Sequence, residues 1–343
     1  MTKKKLVIWD LDNTIWQGVL AEGDEPVLRQ GIVEIIRELD NRGILQSIAS
    51  KNEYDRAYQQ LKGFGIDQYF IYPMINWRAK SENIKAIVSS INISFDSVMF
   101  IDDQYFELSE VGFSLPEVVC INAKDMDTLL ERDDLKPTFI TDDSKIRRQL
   151  YQNQIIRDEA EKSFVGTKEE FLKTLSMVMK VQKAEEEDLC RAEELTIRTH
   201  QLNSTGYTYS YDELKDFCTN DAYDLLVVDL NDKYGYYGKI GLVLIEKEAK
   251  KHTLKLLITS CRVMNRGIGT VLLGLIINKT LDNDCELYAE FVPTKSNRIM
   301  AITYSMLGFH IDTTDAAKQI LKYTNNTKVN IPEYVSVISD YEW

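Results

Sequence analysis

Two closely spaced carboxylates near the start of the chain are the first side chains whose types and spacing suit chemistry. Asp10 and Asp12 follow a short apolar run, residues 6–9. Two carboxylates that leave a strand end two residues apart lie on the same side, so one can attack a phosphorus atom while the other handles the proton. The same edge can hold Mg²⁺, which prefers hard oxygen ligands. Taken alone, the pair is equally typical of a surface turn.

Three further polar groups follow this pair, and two of them also come directly after an apolar run. They are, in chain order, Ser50, Lys51 and Asn52, then Lys80, then Asp102 and Asp103. Phosphoryl transfer to a carboxylate needs this combination: a nucleophilic acid, acids that hold a metal, and cationic and hydroxyl groups that neutralise phosphate oxygens. The full set therefore predicts a phosphoryl-transfer site.

The elements that must bring these groups together alternate between apolar runs and amphipathic helices over the first 125 residues. Strands are predicted at residues 6–9, 44–49, 97–101 and 117–121, with helices over residues 31–42, 53–64 and 81–90. Near-continuous apolar strands that alternate with helices indicate a parallel sheet covered on both faces. Such sheets bind ligands at the carboxyl ends of their strands, where three of the four groups lie.

With these segments, the N-terminal region resembles the haloacid dehalogenase (HAD) superfamily of phosphatases, and most closely subfamily IIIC, the FkbH-like proteins of polyketide biosynthesis. The resemblance rests on WDLDNTIWQGVLAEGD, SKN, NWRAKSENI and VMFIDDQYFE. It implies that Asp10 is a nucleophile that forms an aspartyl-phosphate and that Asp12 is the general acid and base. The implied substrate-binding residues are Ser50, Lys51, Asn52 and Lys80, and the implied Mg²⁺ ligands are Asp10, Asp12, Asp102 and Asp103.

A second motif lies in the C-terminal half, where an apolar run at residues 254–259 leads into a predicted helix over residues 267–281. Glycines at a helix start let backbone N–H groups approach an anion, and the helix dipole favours negative charge there. The segment resembles the pyrophosphate loop of the GNAT N-acetyltransferases, although Met264 stands where those enzymes usually carry Gln or Arg. The resemblance implies substrate-binding roles for Arg262, Arg266, Gly267 and Gly269.

The FkbH-like resemblance also covers this half, through HQLNST, DKYGYYGKIG, SCRVMNRG and VPTKSN. It implies removal of phosphate from 1,3-bisphosphoglycerate and transfer of the glyceryl unit, as a thioester, to the phosphopantetheine arm of an acyl carrier protein. Such chemistry needs a cysteine, because a thiolate is nucleophilic and its thioester stays reactive. The family's second motif often reads CSKN, whereas this chain has Ala49, which leaves Cys261 as the catalytic candidate. A small buried apolar role for Cys261 is an equal alternative.

Pattern changes predict two domains and a connector. We expect a HAD-like phosphatase domain over residues 1–127, a charged helical connector over residues 128–175, and a GNAT-like acyltransferase domain over residues 176–343. Paired runs at 225–230 and 240–245 indicate an antiparallel hairpin, so the second sheet should be mixed. The expected fold class is α/β: a HAD-type, Rossmann-like parallel-sheet domain followed by a GNAT-like mixed-sheet domain.

Composition excludes several other classes of protein. With 41 Lys and Arg against 54 Asp and Glu, the formal net charge of −13 disfavours general binding to nucleic acid or to anionic lipid. No apolar stretch approaches the roughly 18 residues of a membrane span. Five widely spaced cysteines form neither a disulfide framework nor a zinc site, so a cytoplasmic location is expected.

Two alternatives stay open at this stage. In the first, the phosphatase acts on a different phosphorylated metabolite and the GNAT-like domain serves another acyl transfer, and Ala49 is the reason to consider this. In the second, the chain is a non-catalytic scaffold on a degenerate enzyme fold. Degeneration normally removes the nucleophile or the metal acids, and here all of them are present.

Overall fold

In the computed structural model, which describes residues 2–339, the chain divides into two units. The first ends at Gln152 and the second begins at Asn153. Each contains a β-sheet with helices. The predicted α/β class, with a parallel sheet followed by a mixed one, is confirmed.

The first unit is built on a parallel sheet, which has five strands among the described residues, in the order β5-β4-β1-β6-β7. Its strands are β1 (Leu6–Trp9), β4 (Leu45–Ser50), β5 (Met74–Ile75), β6 (Val98–Asp102) and β7 (Val119–Asn122), while β2 (Trp16–Gln17) and β3 (Val27–Leu28) form a small antiparallel pair. Every residue of β1, β4 and β6 is buried. This burial on both faces explains why these strands are largely apolar in sequence.

The helices of the first unit pack apolar residues against this sheet. They are α1 (Ile32–Asn41), α2 (Tyr54–Gly63), α3 (Lys80–Ile91), α4 (Tyr105–Ser114) and the short α5 (Asp142–Lys145). In α1, for example, Ile32, Ile36 and Leu39 recur at helical spacing and are all buried. Helices α2, α3 and α4 each begin just after a strand of the sheet. Their first residues therefore lie at the carboxyl edge, where the predicted site residues are.

The segment predicted as a connector, residues 128–175, is divided between the two units. Leu129 and Leu135 belong to the hydrophobic core of the first unit, whereas Phe171 and Leu172 belong to that of the second. The boundary falls within α6 (Arg147–Ser163). The charged pattern of this segment predicted a helical connector, and in the structure apolar residues of each half pack into the core of the adjoining unit.

The second unit is built on a mixed sheet, which has eight strands among residues 2–339, in the order β13-β14-β12-β11-β10-β9-β8-β15. The strands are β8 (Met177–Lys183), β9 (Tyr223–Asp232), β10 (Gly235–Glu248), β11 (Lys251–Thr259), β12 (Glu286–Phe291), β13 (Phe309–Asp315), β14 (Lys318–Tyr323) and β15 (Val335–Ser339). The predicted hairpin is present as the antiparallel pair β9–β10. Strands β11 and β12 are parallel.

Helices cover both faces of the second sheet. They are α7 (Lys168–Thr174), α8 (Leu189–Arg198), α9 (Tyr211–Thr219), α10 (Ile268–Asp282) and α11 (Arg298–Met306). One apolar cluster joins the sheet to α10 and α11, and another joins it to α8 and α9. Across residues 2–339, no helix combines the length and apolar character that crossing a membrane requires.

Strands β11 and β12 pair only at their beginnings, over Lys251–Leu254 and Glu286–Ala289. Toward their C-terminal ends, the segment that contains Ser204 lies between them. The Ser204 backbone N–H donates to the Leu257 carbonyl at 3.0 Å, and the Val292 N–H donates to the Ser204 carbonyl at 3.1 Å. Ser204 and Asn297 beside it are both buried. The HQLNST motif thus connects two diverging strands through backbone hydrogen bonds.

Candidate active site

Three carboxylates meet at the carboxyl edge of the first sheet. Asp10 follows β1, whereas Asp102 ends β6 and Asp103 follows it. Because β1 and β6 are neighbouring parallel strands, their ends bring one oxygen of each of these three residues within 4.8 Å of the others. Asp10 is only 4% exposed and Asp102 is fully buried. The structure therefore brings together three of the four acids that the sequence suggested for a metal.

Lys80 provides the positive charge for this cluster. As the first residue of α3, it places its ammonium group 2.8 Å from Asp10 Oδ1, and it also forms an ion pair with Asp102. Its side chain is almost completely buried. Burial alone would lower the pKa of Lys80, but the carboxylates of Asp10 and Asp102 raise it above its ordinary value. Lys80 is therefore a fixed, charged group.

The pKa values of the three carboxyl groups are raised, as expected for acids that lie close together in a buried site. Burial raises the pKa of Asp10 to about 6, against the opposing effect of Lys80. Burial also raises the pKa values of Asp102 and Asp103. One ammonium group thus leaves the negative charge of three carboxylates incompletely neutralised.

A Mg²⁺ ion fits this excess of negative charge. Asp103 Oδ1 is buried and has no hydrogen-bond partner within the described residues. A buried carboxylate oxygen without a partner is costly unless a cation binds it, and hard oxygens are the ligands that Mg²⁺ prefers. Asp10, Asp102 and Asp103 are the residues that would hold the ion. The metal would supply charge neutralisation for a phosphoryl group at this edge.

The raised pKa of Asp10 predicts how Mg²⁺ binding depends on pH. Below pH about 6 the metal must displace a proton from Asp10, so its apparent affinity should fall by up to about tenfold per pH unit. The stability of the metal-free protein changes with pH in the opposite direction to its Mg²⁺ affinity. Because the folded state holds the Asp10 proton more tightly than the unfolded state does, the free energy of unfolding falls as pH rises from about 4 to 6. Thermal-shift titrations with Mg²⁺ at pH 5.0 and 7.5 check this. Equal midpoints at the two values would contradict it.

Asp12 lies outside this cluster of three acids, and its role as a Mg²⁺ ligand stays a prediction. Its Oδ1 accepts hydrogen bonds from Trp16 Nε1 at 2.8 Å and from the Leu20 backbone N–H at 3.2 Å. Its Oδ2 accepts from Asn52 Nδ2 at 3.0 Å. With both oxygens bound in this way, the carboxylate is oriented by protein donors rather than directed to a cation. This arrangement suits a proton-transfer role.

The three residues after β4 have different positions in the structure. The buried Ser50 hydroxyl donates to Asp10, which places it in the site. Asn52, also buried, donates to Asp12 and, at 3.3 Å, to Ser50 Oγ, so it orients the site rather than projecting toward a substrate. The Lys51 ammonium lies 2.6 Å from Glu107 Oε1 and is about one-third exposed. For Asn52 and Lys51, the structure shows protein partners in place of the predicted substrate contacts.

The predicted anion-binding loop of the second unit also has protein partners. Residues Cys261–Arg266 form a 3-10 helix, and Gly267, in a left-handed conformation with φ +72°, is the N-cap residue that precedes α10. Arg266 is only 1% exposed and forms ion pairs with Asp158 and Glu161 of α6. Its guanidinium group therefore balances two acids of its own unit, and its substrate-binding role stays a prediction.

The two glycines predicted to bind an anion differ in the space around them. A Cβ atom at Gly267 would lie 2.5 Å from the Tyr334 hydroxyl oxygen, and one at Gly269 would lie 3.5 Å from Thr259 Oγ1. At Gly267, the small residue therefore accommodates a phenol from the C-terminal segment. The motif predicted an open anion site here, whereas the structure shows close packing at its first glycine.

Cys261 and Arg262 begin the same 3-10 helix. Cys261 is partly exposed, and its thiol is not part of a disulfide. Arg262 is only partly buried, and its Nη2 donates to the Tyr237 carbonyl at 2.9 Å. Cys261 is thus neither fully buried nor disulfide-bonded, while Arg262 is held on β10. Both belong to the second unit, and the acidic cluster belongs to the first.

The sequence did not reveal the residues that orient the site. Trp16 belongs to the two-residue strand β2, and its indole donor binds Asp12. Glu107 and Glu110 on α4 bind Lys51 and Ser81. Only two sequence features could have indicated these orienting residues: two acids three residues apart after Asp103, and one tryptophan four residues after Asp12. Such spacings become informative only once the strand order is known.

Comparison with known proteins agrees with the geometry of the first unit. Residues 15–109 match the family model described as haloacid dehalogenase-like hydrolase. This match confirms the prediction that the chain is an enzyme with a hydrolase domain. The acidic cluster of this unit fits the predicted Mg²⁺ cofactor.

Similar solved structures include the N-terminal part of BF1531 from Bacteroides fragilis, which contains a phosphatase domain complexed with Mg. It is 30% identical, with a TM-score of 0.33, over 40% of this chain and 42% of that chain, so less than half of it is covered. The ribosomal-protein-S18-alanine N-acetyltransferase from Escherichia coli is 18% identical over 42% and 90% of the two chains, with a TM-score of 0.32. PaiA N-acetyltransferase from Thermoplasma acidophilum, in complex with coenzyme A, is 18% identical over 42% and 97%, with a TM-score of 0.33. No curated protein matches this chain.

Proposed function

We propose that the first unit is a Mg²⁺-dependent phosphatase that works through a phosphorylated Asp10. One observation carries this proposal: Asp10 lies against Lys80 and Ser50 at the acidic cluster, while Asp12 is held separately by three donors. The site therefore has a nucleophile, phosphate-neutralising groups and an independent proton carrier. These are the components of a two-step hydrolysis.

In the first step, an Asp10 oxygen attacks phosphorus and the bond from phosphorus to the leaving oxygen breaks. Asp12 gives its proton to that oxygen. In the second step, Asp12 takes a proton from water, the water oxygen attacks phosphorus, and the bond to Asp10 breaks to release phosphate. Lys80 and Ser50 stabilise the negative phosphoryl oxygens in both steps, because they are already fixed beside Asp10.

The proposed substrate is a phosphorylated three-carbon acid such as 1,3-bisphosphoglycerate, and the proposed acceptor is the phosphopantetheine arm of an acyl carrier protein in polyketide-type biosynthesis. A thiolate, proposed to be that of Cys261, would attack the acyl carbon and displace its phosphate to leave a thioester. The phosphopantetheine thiol would then attack the carbonyl carbon of this thioester, so that the bond to Cys261 breaks, the Cys261 thiolate is released and the acyl group remains on the carrier. The remaining phosphate ester would be hydrolysed at Asp10. The FkbH-like segments in both halves support this sequence of reactions, as does the partly exposed thiol.

A second candidate keeps the phosphatase but changes the acyl chemistry. Ala49 replaces the cysteine of the family's second motif, and Arg266 and Gly267 are engaged by protein groups. These features favour another phosphorylated metabolite and another acyl transfer. For either candidate, we expect a cytoplasmic protein, and the five cysteines, all in the described part of the chain, form no disulfides.

Replacing Cys261 with Ser separates the two candidates. The protein is incubated with 1,3-bisphosphoglycerate, Mg²⁺ and a carrier protein, and the carrier is examined by intact-mass spectrometry. The first candidate predicts glyceryl-carrier from wild type and at least about a tenfold loss in Cys261→Ser, because serine lacks a thiolate. Cys285→Ser, at another partly exposed cysteine, is the control. Unchanged transfer by Cys261→Ser would eliminate this thiol from the reaction.

A further inference from the structure

Two glutamates on one face of α4 contact residues outside their own helix, one just after β4 and one in the first turn of α3. Glu107 and Glu110 are three residues apart, so they lie on the same side of the helix. Glu107 Oε1 lies 2.6 Å from the Lys51 ammonium group. Glu110 accepts two hydrogen bonds from Ser81: one from its hydroxyl group and one, at 3.2 Å, from its backbone N–H. Helix α4 therefore binds the chain after β4 and the chain after β5.

Each of these contacts adjoins a residue that touches Asp10. Lys51 follows Ser50, and Ser81 follows Lys80. Helix α4 is also fixed to the acidic cluster, because the Gln104 backbone N–H at its start donates to Asp102 Oδ1 at 2.8 Å. One helix thus connects the strand ends that carry the metal acids, the hydroxyl group and the lysine.

The contact of Glu110 with Ser81 meets a specific need of α3. The residue that precedes this helix is Ala79, which has no side-chain oxygen to cap the free N–H groups of the first turn. Glu110 provides an acceptor from another helix, and its negative charge lies at the positive end of α3. Lys80 is the first residue of this turn. The cap therefore fixes the backbone from which the Lys80 side chain extends toward Asp10.

We propose that Glu110 is a positioning residue for phosphoryl binding, acting through Ser81 and the first turn of α3 on Lys80. This inference rests on the proposed phosphatase function. Without the cap, the first turn of α3 loosens and the ammonium group loses its fixed position. Small displacements of a positioning group cost up to about 10²-fold in rate. The three acids that would bind the metal, Asp10, Asp102 and Asp103, lie at the ends of β1 and β6 and not on α3, so the affinity for Mg²⁺ should change little.

The experiment measures inorganic phosphate binding to the full chain with Mg²⁺ by calorimetry, together with Mg²⁺ binding and hydrolysis of p-nitrophenyl phosphate. We expect Glu110→Ala to weaken phosphate binding by about tenfold and to lower kcat by about 10–10²-fold. Glu110→Gln should recover most of both, since an amide oxygen still accepts from Ser81. Glu82→Ala, at an exposed acid in the same first turn, is the matched control.

A purely structural role for Glu110 would lower the melting temperature of Glu110→Ala but leave phosphate binding and kcat within twofold of wild type, and this result would overturn the proposal. An equal loss of phosphate and Mg²⁺ binding would also overturn it, because the whole edge would then be disturbed. Failure of the phosphatase proposal looks different: wild type itself would release no phosphate. The binding measurement does not depend on turnover, so the two failures remain distinguishable.

Discussion

The Asp10→Asn variant is expected to release phosphate at least about 10³-fold more slowly than wild type. Asn has nearly the same shape as Asp, but its neutral amide is a poor nucleophile toward phosphorus. Lys80 retains its second partner, Asp102, so the variant should fold. Release of phosphate from p-nitrophenyl phosphate with Mg²⁺ gives the rate, and a thermal melt verifies the fold.

The matched control for this substitution is Asp55→Asn, which makes the same chemical change at an exposed position in the first turn of α2. It should retain wild-type activity. If Asp10→Asn kept more than about a tenth of the wild-type rate, Asp10 would not be the nucleophile, since removal of an essential nucleophile costs far more.

The Lys80→Met variant is expected to lose both activity and stability. The substitution leaves Asp10 and Asp102 buried without their ammonium partner, and breaking a buried ion pair typically costs about 3–5 kcal/mol. Because the pKa of Lys80 is raised, its stabilising charge is fully present at pH 7.5 and would be lost only as pH rises through that higher pKa. Added Mg²⁺ should restore much of the stability, since it replaces the missing positive charge. Phosphate release should fall by about 10²-fold or more even with Mg²⁺.

Urea unfolding at pH 7.5, with and without Mg²⁺, checks this prediction. Tryptophan fluorescence suits it, because Trp9, Trp16 and Trp77 all belong to the first unit. Lys85→Met, at an exposed lysine of the same helix, is the control and should be nearly neutral. The prediction is contradicted if, in the absence of Mg²⁺, Lys80→Met and wild type have the same free energy of unfolding. The buried carboxylates of Asp10 and Asp102 would then not depend on Lys80 for their stability.

The elements of the first unit were predictable because each has a local pattern. The strand predicted at residues 6–9 coincides with β1, and the helices predicted over 53–64 and 81–90 differ from α2 and α3 by one residue at each end. Continuous apolar runs and helical spacing are properties of nearby residues. The convergence of Asp10 with Asp102 also followed, since parallel strands end at a common edge.

What the sequence could not reveal depends on contacts between distant residues. Strands β2 and β5 have two residues each, too few for a periodic pattern. Arg266 was expected to face an anion, yet its partners Asp158 and Glu161 lie more than 100 residues away in the chain. The metal-ligand role of Asp12 was implied by the family resemblance. The hydrogen bond that Asp12 accepts from Asn52 comes from a different strand end, so no local pattern indicated it.

The most direct test of the central claim is the identity of the phosphorylated residue. Wild-type protein is mixed with a phosphorylated substrate and Mg²⁺, quenched within milliseconds and treated with borohydride, which reduces an acyl phosphate to an alcohol. Peptide mass spectrometry then locates the modified residue. A covalent mechanism through Asp10 predicts homoserine at position 10 in wild type and no modification in Asp10→Asn. Phosphate release with no modified peptide, or with modification at Asp12 or another residue, would contradict the mechanism.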